Sequence, residues 1–441
     1  MTVAESTKPT PVGYLPKDRP PVGAMLTFGL QHVLTMFPAT VLVAILTGFD
    51  VGVTLFASGL ATIIALAGSG MRIPLYYGSS FSYIAAVVAV LGAEWGGKQV
   101  AQGGIVATAA VSIIAGLLIR WAGKDALDRV LPPIITGSVA IVIGVALAND
   151  ALASAASNWG IATFTLVATI MFSVFLRGKG ILGMLPILLG AVAGYLAAWA
   201  FGMVDFSPVL EAEWVRVPAF TMPVFKWSAV LAIAPIAIAT IPESTAHLYQ
   251  MSLYVDRLAD DLGRPRMEIK KLVGLNLILD GIGDAINGML GGCAGTNYGE
   301  NNSLMAITRN YSCPVLMTAG AIAMLLGFIG KLAAIVQTLP TAVTGGLSVF
   351  LFGVIALQGV ALIQSEKVDL FDPRQLAIGA VILIIGIGGD TTAIKIPGVG
   401  GVFADGLPSI ATAAVVGILL NVVFLLFPEK NKAKADTGSA K

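Results

Sequence analysis

Cysteine, histidine and charge are all scarce in this 441-residue chain. Its two cysteines, Cys293 and Cys313, allow neither a disulfide framework nor metal-finger spacing. Both sit in apolar surroundings, where a free thiol acts as a small hydrophobe. Only 12% of residues are charged, and 26 Lys and Arg against 25 Asp and Glu leave a net charge of +1. That balance offers no basic surface for a polyanion, so nucleic acid is excluded as a partner. The opening stretch from Thr2 to Val22 is polar and Pro-rich, which leads us to expect no cleavable signal peptide.

Apolar residues make up 56% of the chain, and the mean hydropathy is +0.88. Hydrophobic runs of about 20 residues, the length that crosses a bilayer core, recur from Val22 to Phe427. A soluble protein of this composition would expose large apolar patches. The sequence therefore predicts an all-α polytopic membrane protein and argues against most soluble enzymes; no catalytic role is expected.

Fourteen segments stand out: 22–46, 51–70, 77–93, 101–120, 131–149, 158–176, 180–203, 227–253, 269–292, 298–311, 313–337, 340–363, 376–389 and 407–427. Segments 77–93, 298–311 and 376–389 are short for a full crossing, as discontinuous helices in transporters are. With fourteen crossings and both ends in the cytoplasm, only Lys98, Arg216, Lys226, Lys331 and Lys395 fall outside, leaving 21 of the 26 basic residues inside. That bias obeys the positive-inside rule.

The hydrophilic stretch 204–226, an outside loop, divides residues 22–203 from 227–427, seven segments in each. Tails 1–21 and 428–441 flank them. An odd number per half inverts the second repeat relative to the first. Tyr77-Gly78 opens the third segment and Tyr298-Gly299 the tenth, the third of its own half. A second hydrophilic interruption is expected at 254–268.

Polar groups inside such segments are costly and need a reason. Glu243 and His247 are four apart and share a helical face, and Pro242 is expected to bend the helix beside them. Gly295-Thr296-Asn297-Tyr298-Gly299-Glu300-Asn301-Asn302 is rich in weak helix formers. It reads as an extended stretch followed by a short helix from near Glu300, whose first amides lack intrahelical partners and carry partial positive charge. Gln31-His32 lies in the first segment and Ser80-Phe81-Ser82 near the start of the third. Asn276, Asp280, Asp284 and Gly288 form a stripe on the ninth segment, expected to be structural, for example by neutralising Arg309, or to line a gating surface.

With these residues in view, the chain resembles the nucleobase–ascorbate transporter family, most closely its bacterial uracil permeases. The family signature is Gln, Glu or Pro, then Asn, any residue, Gly, four variable residues, Thr, and a basic residue or Gly. Here it reads Glu300-Asn301-Asn302-Ser303-Leu304-Met305-Ala306-Ile307-Thr308-Arg309, with Ser303 in the place of the Gly. Gln31-His32, Ser79-Ser80-Phe81 and the Glu243/His247 pair fit as well, so the likeness spans about residues 22–427.

The resemblance implies two inverted repeats of seven spans, with short strands in spans 3 and 10. A core of spans 1–4 and 8–11 would hold the substrate, and a gate of spans 5–7 and 12–14 would form a homodimer contact. It implies substrate binding by Glu243, Glu300, Phe81, Gly299 and Tyr298, and proton coupling through Glu243, His247 and His32. Glu at the first signature position points to uracil rather than xanthine, urate or ascorbate.

Elementary chemistry agrees. Uracil offers two ring N–H donors to carboxylates, which only accept when ionised, and two carbonyls to free amides. The expected activity is proton-coupled import of uracil across the bacterial inner membrane, with no cofactor. Rival readings are a xanthine, uric acid or thymine carrier, an anion exchanger of related fold, and an intramembrane metalloenzyme using Glu243, His247, Glu300 and His32, although His-Glu-x-x-His is missing.

Overall fold

A computed structural model of the chain describes residues 13–123, 129–389 and 409–427. Tail 428–441, most of tail 1–21, Lys124, Lys395 and the first two residues of segment 407–427 lie outside the described residues.

In chain order the elements are α1 (Val22–Thr47), α2 (Val51–Gly68), β1 (Tyr77–Ser79), α3 (Ile84–Gly92), α4 (Lys98–Ala122), α5 (Pro133–Ala146), α6 (Ala148–Ala156), α7 (Trp159–Phe175), α8 (Pro186–Ala200) and α9 (Ser207–Glu211). There follow α10 (Trp227–Ile233), α11 (Ala237–Asp261), α12 (Val273–Leu290), β2 (Gly295–Asn297), α13 (Gly299–Thr308), α14 (Cys313–Gly327), α15 (Gly330–Gln337), α16 (Thr341–Ser365), α17 (Pro373–Gly388) and α18 (Ser409–Leu426). Single 3-10 turns at Phe81–Tyr83, Gly180–Met184, Ala234–Ile236 and Ile269–Leu272 lead into α3, α8, α11 and α12. Among the described residues, seven helices are long and apolar enough to cross a membrane, and five more are apolar but shorter.

Local chemistry sets the helix ends. Gly48 closes α1 in the left-handed region at φ 66°, where a residue without Cβ is unstrained. Asp50 then starts α2 by accepting the Val53 amide at 2.9 Å. Small residues let helices approach closely, since lipid supplies no hydrophobic drive between them. A Cβ on Gly52 of α2 would lie 2.5 Å from the Gly327 carbonyl of α14.

Helix α2 packs on α12 and α14, α1 on α14, and α4 on α12 and α10. A second set is built around α16, which packs on α5, α6, α7 and α8, while α5 also meets α17 and α18. Between the sets, β1 and β2 pair antiparallel in the register Tyr77↔Asn297, Gly78↔Thr296 and Ser79↔Gly295. β1 opens the third segment as expected, while β2 lies just ahead of the tenth, in the extended stretch that precedes α13.

The helix boundaries differ in places from the segments read in the sequence. Segment 227–253 is interrupted at the 3-10 turn Ala234–Ile236, which contains Pro235, and α11 then runs on through Pro242. Pro235 stands where two helices meet. Pro242 lies in the second turn of α11, where its missing donor costs one bond without ending the helix.

The interruption at 254–268 begins too early, because α11 continues to Asp261. Val255, Leu258 and Ala259 stay buried there while Asp260 and Asp261 face solvent, so the helical period outlasts the drop in hydropathy. Lastly, segment 313–337 is two helices meeting at Phe328–Ile329, and the helix of segment 131–149 ends at Ala146, with α6 carrying the chain on from Ala148 to Ala156.

Candidate functional site

A cavity of about 740 Å³ lies against the strand pair, within the range of small-molecule sites. One wall comes from Ser79 to Ser82, from α11 (Pro242, Glu243, His247, Gln250) and from Thr296 to Glu300 with Ser303. The facing wall is Thr136 of α5, Ser173 of α7, Ile187 of α8 and one face of α16 from Phe350 to Leu362, including Gln358. The cavity therefore sits between the two packed sets of helices.

Glu243 and Glu300, 57 positions apart, face this one space. Glu300 is exposed to it and Glu243 half-buried. Helix α13 begins at Gly299, and its cap residue Tyr298 makes no side-chain cap bond. The first amides of α13 are thus left without helical acceptors at the cavity wall, where they favour an electron-rich ligand atom. Gly299 needs its missing side chain, for a Cβ there would lie 2.8 Å from His247 Nε2.

His247 Nδ1 is 2.8 Å from the Asn297 carbonyl oxygen. A carbonyl only accepts, so Nδ1 carries the hydrogen and Nε2 keeps a free lone pair beside Gly299. Phe81, half-buried, supplies an aromatic face to the same cavity.

One residue named from the sequence lies away from the cavity. His32 is 1% exposed and does not line the cavity. Its Nδ1 accepts from Asn301 Nδ2 at 3.0 Å, and Asn301 also donates to the His32 carbonyl at 3.2 Å. Tyr298 touches the cavity, but its hydroxyl is engaged by Thr40 at 2.9 Å and by the Ser79 carbonyl at 3.0 Å. Both residues brace the start of α13 from behind.

The metal set Glu243, His247, Glu300 and His32 is not assembled, and no group of three or more His, Cys, Asp or Glu gathers at metal spacing among the described residues. The stripe on α12 does not reach Arg309, which pairs with Asp261. Ser244 instead donates to Asp280 and accepts from Asn276 at 2.7 Å and Asn297 at 2.8 Å. That buried network ties α11 to α12 and β2.

Sequence reasoning missed Thr296, Gln250 and the whole opposite wall. Ser79 and Thr296 line the cavity, but their hydroxyl oxygens are themselves buried and not open to it. No Lys or Arg lines the cavity among the described residues.

Comparison with known proteins places the chain. Residues 23–395 match the model of a permease family. Uracil permease from Bacillus caldolyticus is 38% identical, covering 92% of this chain and 93% of the relative. Uracil permease from Bacillus subtilis (strain 168) is 35% identical over 96% of this chain and 97% of its own. That from Escherichia coli (strain K12) is 35% identical over 93% of each.

Among solved structures, the transmembrane domain of the cyanobacterial bicarbonate transporter BicA superposes with a TM-score of 0.56 at 15% identity, covering 91% of this chain and 97% of that one. The murine anion transporter Slc26a9, inward-facing, gives 0.64 at 13% identity over 93% of this chain and 69% of that one. These two share the fold. The chain is a multi-pass membrane protein and belongs to the nucleobase–ascorbate transporter family of permeases.

Proposed function

We propose that this chain is a proton-coupled symporter that imports uracil across the bacterial cytoplasmic membrane by alternating access. The observation that carries this reading is the meeting of Glu243 and Glu300 on one cavity beside the uncapped start of α13, in a chain similar along its length to uracil permeases. Each carboxylate takes one ring N–H, and the amide at Gly299 meets a carbonyl. Phe81 covers a ring face. A cavity wall without Lys or Arg suits a neutral heterocycle and not the anions carried by the proteins of like fold.

Proton coupling is assigned to Glu243 and to His247, whose free Nε2 lies one helical turn from the Glu243 backbone. A carboxyl withdrawn from water takes up a proton more readily than a solvated one. Uptake of a proton with uracil lowers the charge of the site enough for it to cross the barrier. His32 enters this scheme only through Asn301, by holding α13 in place.

The architecture proposed is fourteen spans in two inverted sevens, both termini cytoplasmic, with a core (spans 1–4 and 8–11) moving against a gate (spans 5–7 and 12–14). A homodimer forms through the gate, as the family resemblance implies. The cavity follows α11 to Gln250 and α16 to Leu362, towards the end that carries Arg257, Arg264 and Arg266, which corresponds to an inward-open state.

The test is labelled-uracil uptake by proteoliposomes. Accumulation should follow an imposed inward proton gradient and stop when pH gradient and membrane potential are both dissipated. Concentrative uptake that survives dissipation overturns proton coupling. Stronger competition by xanthine, uric acid or thymine than by uracil overturns the substrate, and methylation of a ring N–H should abolish competition.

A further inference from the structure

The buried carboxyl of Asp284 takes no part in the scheme above. It lies on α12, is 1% exposed and does not line the cavity. Its Oδ1 accepts from the Tyr77 hydroxyl of β1 at 2.7 Å and from the Gly295 amide of β2 at 2.8 Å. Its Oδ2 is 3.0 Å from Thr108 Oγ of α4. One carboxyl on α12 thus touches both strands and α4.

Those strands run directly into the ligand wall. β1 leads through Ser80 to Phe81, and β2 leads through Tyr298 to Gly299 and Glu300. Each strand has three residues and, among the described residues, pairs in a sheet only with the other, while Ser58 and Thr62 of α2 hold the Tyr77 backbone. So short a ribbon is marginal without outside support. The Tyr77 ring packs against Gly283, where a Cβ would lie 2.5 Å from it, and its hydroxyl reaches Asp284 from that position.

The hydrogen-bond inventory says which chemistry this point needs. Thr108 has a single hydroxyl hydrogen, and its Oγ lies 2.6 Å from the Ile105 carbonyl as well as 3.0 Å from Oδ2, so that one hydrogen is shared between two acceptors. The point therefore asks above all for an acceptor of two bonds at Oδ1. A carboxyl meets that demand, and so does the oxygen of a primary amide.

We infer that Asp284 is a positioning residue for transport: by hydrogen bonding, not by charge, it fixes the strand pair that aims Phe81, Gly299 and Glu300 into the cavity. The alternative for a buried acid one turn from Asp280 is a proton-carrying role. The two differ in what Asp284→Asn does, because an amide keeps the bonds and cannot take up and release a proton.

The inference rests on the uracil reading for its transport readout alone, so the experiment pairs that readout with one that needs no substrate. Wild type, Asp284→Asn, Asp284→Ala and Tyr77→Phe are reconstituted in proteoliposomes for labelled-uracil uptake. The same proteins in nanodiscs are followed by amide hydrogen exchange over residues 293–303 and by thermal melting.

Asp284→Asn should keep KM within roughly threefold of wild type, with concentrative uptake and slow exchange intact. Asp284→Ala leaves the Tyr77 hydroxyl and Gly295 amide unpaired and should speed exchange by roughly tenfold or more. Tyr77→Phe keeps the ring packing and loses one donor. It should raise KM by roughly fivefold with Vmax and melting temperature little changed, a split that a merely stabilising contact would not produce.

Unchanged exchange in both Asp284→Ala and Tyr77→Phe overturns the inference, and so does Asp284→Asn that binds uracil yet cannot concentrate it. Should Asp284→Ala fail to fold, Tyr77→Phe decides by the same two readouts. If wild type neither binds nor transports uracil, the substrate reading falls, while the exchange comparison still decides the role of Asp284.

Discussion

At the scale of single residues, Glu243 and Glu300 are the pair on which binding turns. Each is assigned one charge-assisted bond to a ring N–H, and losing such a bond costs about 1.5–3 kcal/mol, or roughly 10–100-fold in affinity. Glu243→Gln and Glu300→Gln should each weaken uracil binding by that order, measured by calorimetry or scintillation proximity on purified protein. A variant that binds as wild type does would remove that carboxylate from the site. Both residues were legible in the sequence because a carboxyl inside an apolar run needs a partner. The partner was not legible: hydropathy marks a costly residue without saying which way it faces. His32 shows the same limit, for its place in the first segment was correct while its bond to Asn301 sets it behind the wall. Ser303, standing where the family has Gly, hydrogen-bonds the Gly299 carbonyl at 3.1 Å and is exposed at the cavity. The helix accepts the extra side chain because it points into open space.

At the scale of elements, the short helix α13 is held at both ends. Its start rests on the strand pair, and its end on residues 14–18. The Tyr14 amide donates to the Arg309 carbonyl at 3.0 Å, Tyr311 donates back to the Tyr14 carbonyl at 2.8 Å, and Cys313 donates to the Pro16 carbonyl at 2.8 Å. Asp18 then pairs with Arg264 at 2.7 Å, beyond the end of α11. Burial pulls the Asp18 carboxyl upward, but the Arg264 guanidinium and the Leu15 amide outweigh it and hold it below its ordinary value. A carboxyl depressed in the folded state stabilises above its unfolded value and loses that contribution as pH falls through the folded one. Asp18→Asn should therefore lower stability slightly at pH 7, by less than about 1 kcal/mol for so exposed a pair, and the difference from wild type should fade as pH drops through and below the ordinary carboxylate range. A pH-independent difference would assign the effect to the Leu15 bond. None of this strap was read from the sequence, because backbone pairing across some 300 residues leaves no local period.

At the scale of the whole molecule, the cavity between two sets of helices is the feature that relative motion would open and close. On the face away from Gln250 and Leu362, Arg216 bonds Asp50 at 2.6 Å, and Val215 bridges Ile329. The pair is partly buried, so breaking it costs more than a surface pair does. If this contact closes the outer side, Arg216→Ala should raise labelling of a Ser82→Cys reporter in right-side-out vesicles. We expect an increase of several-fold with an impermeant thiol reagent, given that 1.4 kcal/mol shifts such an equilibrium about tenfold. The natural Cys293 and Cys313 are buried and add little background. Labelling equal to that without the substitution would show that closure does not depend on this pair.

Sequence alone determined the solvent in which the chain folds, the places where helices form and the polar residues that need an explanation, because hydropathy, period and capping are properties of neighbours along the chain. It also located the helix start at residues 299–300, since weak helix formers followed by an apolar run mark it within one stretch. Tertiary structure alone decided that Tyr77 pairs with Asn297, that α10 and α11 are separated at Pro235, and that Thr296, Gln358 and Ser173 share a space with the two carboxylates. Those outcomes depend on backbones brought together by contacts such as Gly52 on Gly327 and by buried hydrogen bonds such as those of Asp284. Such contacts join residues hundreds of positions apart, and their energy depends on shape and direction, which no one-dimensional pattern records.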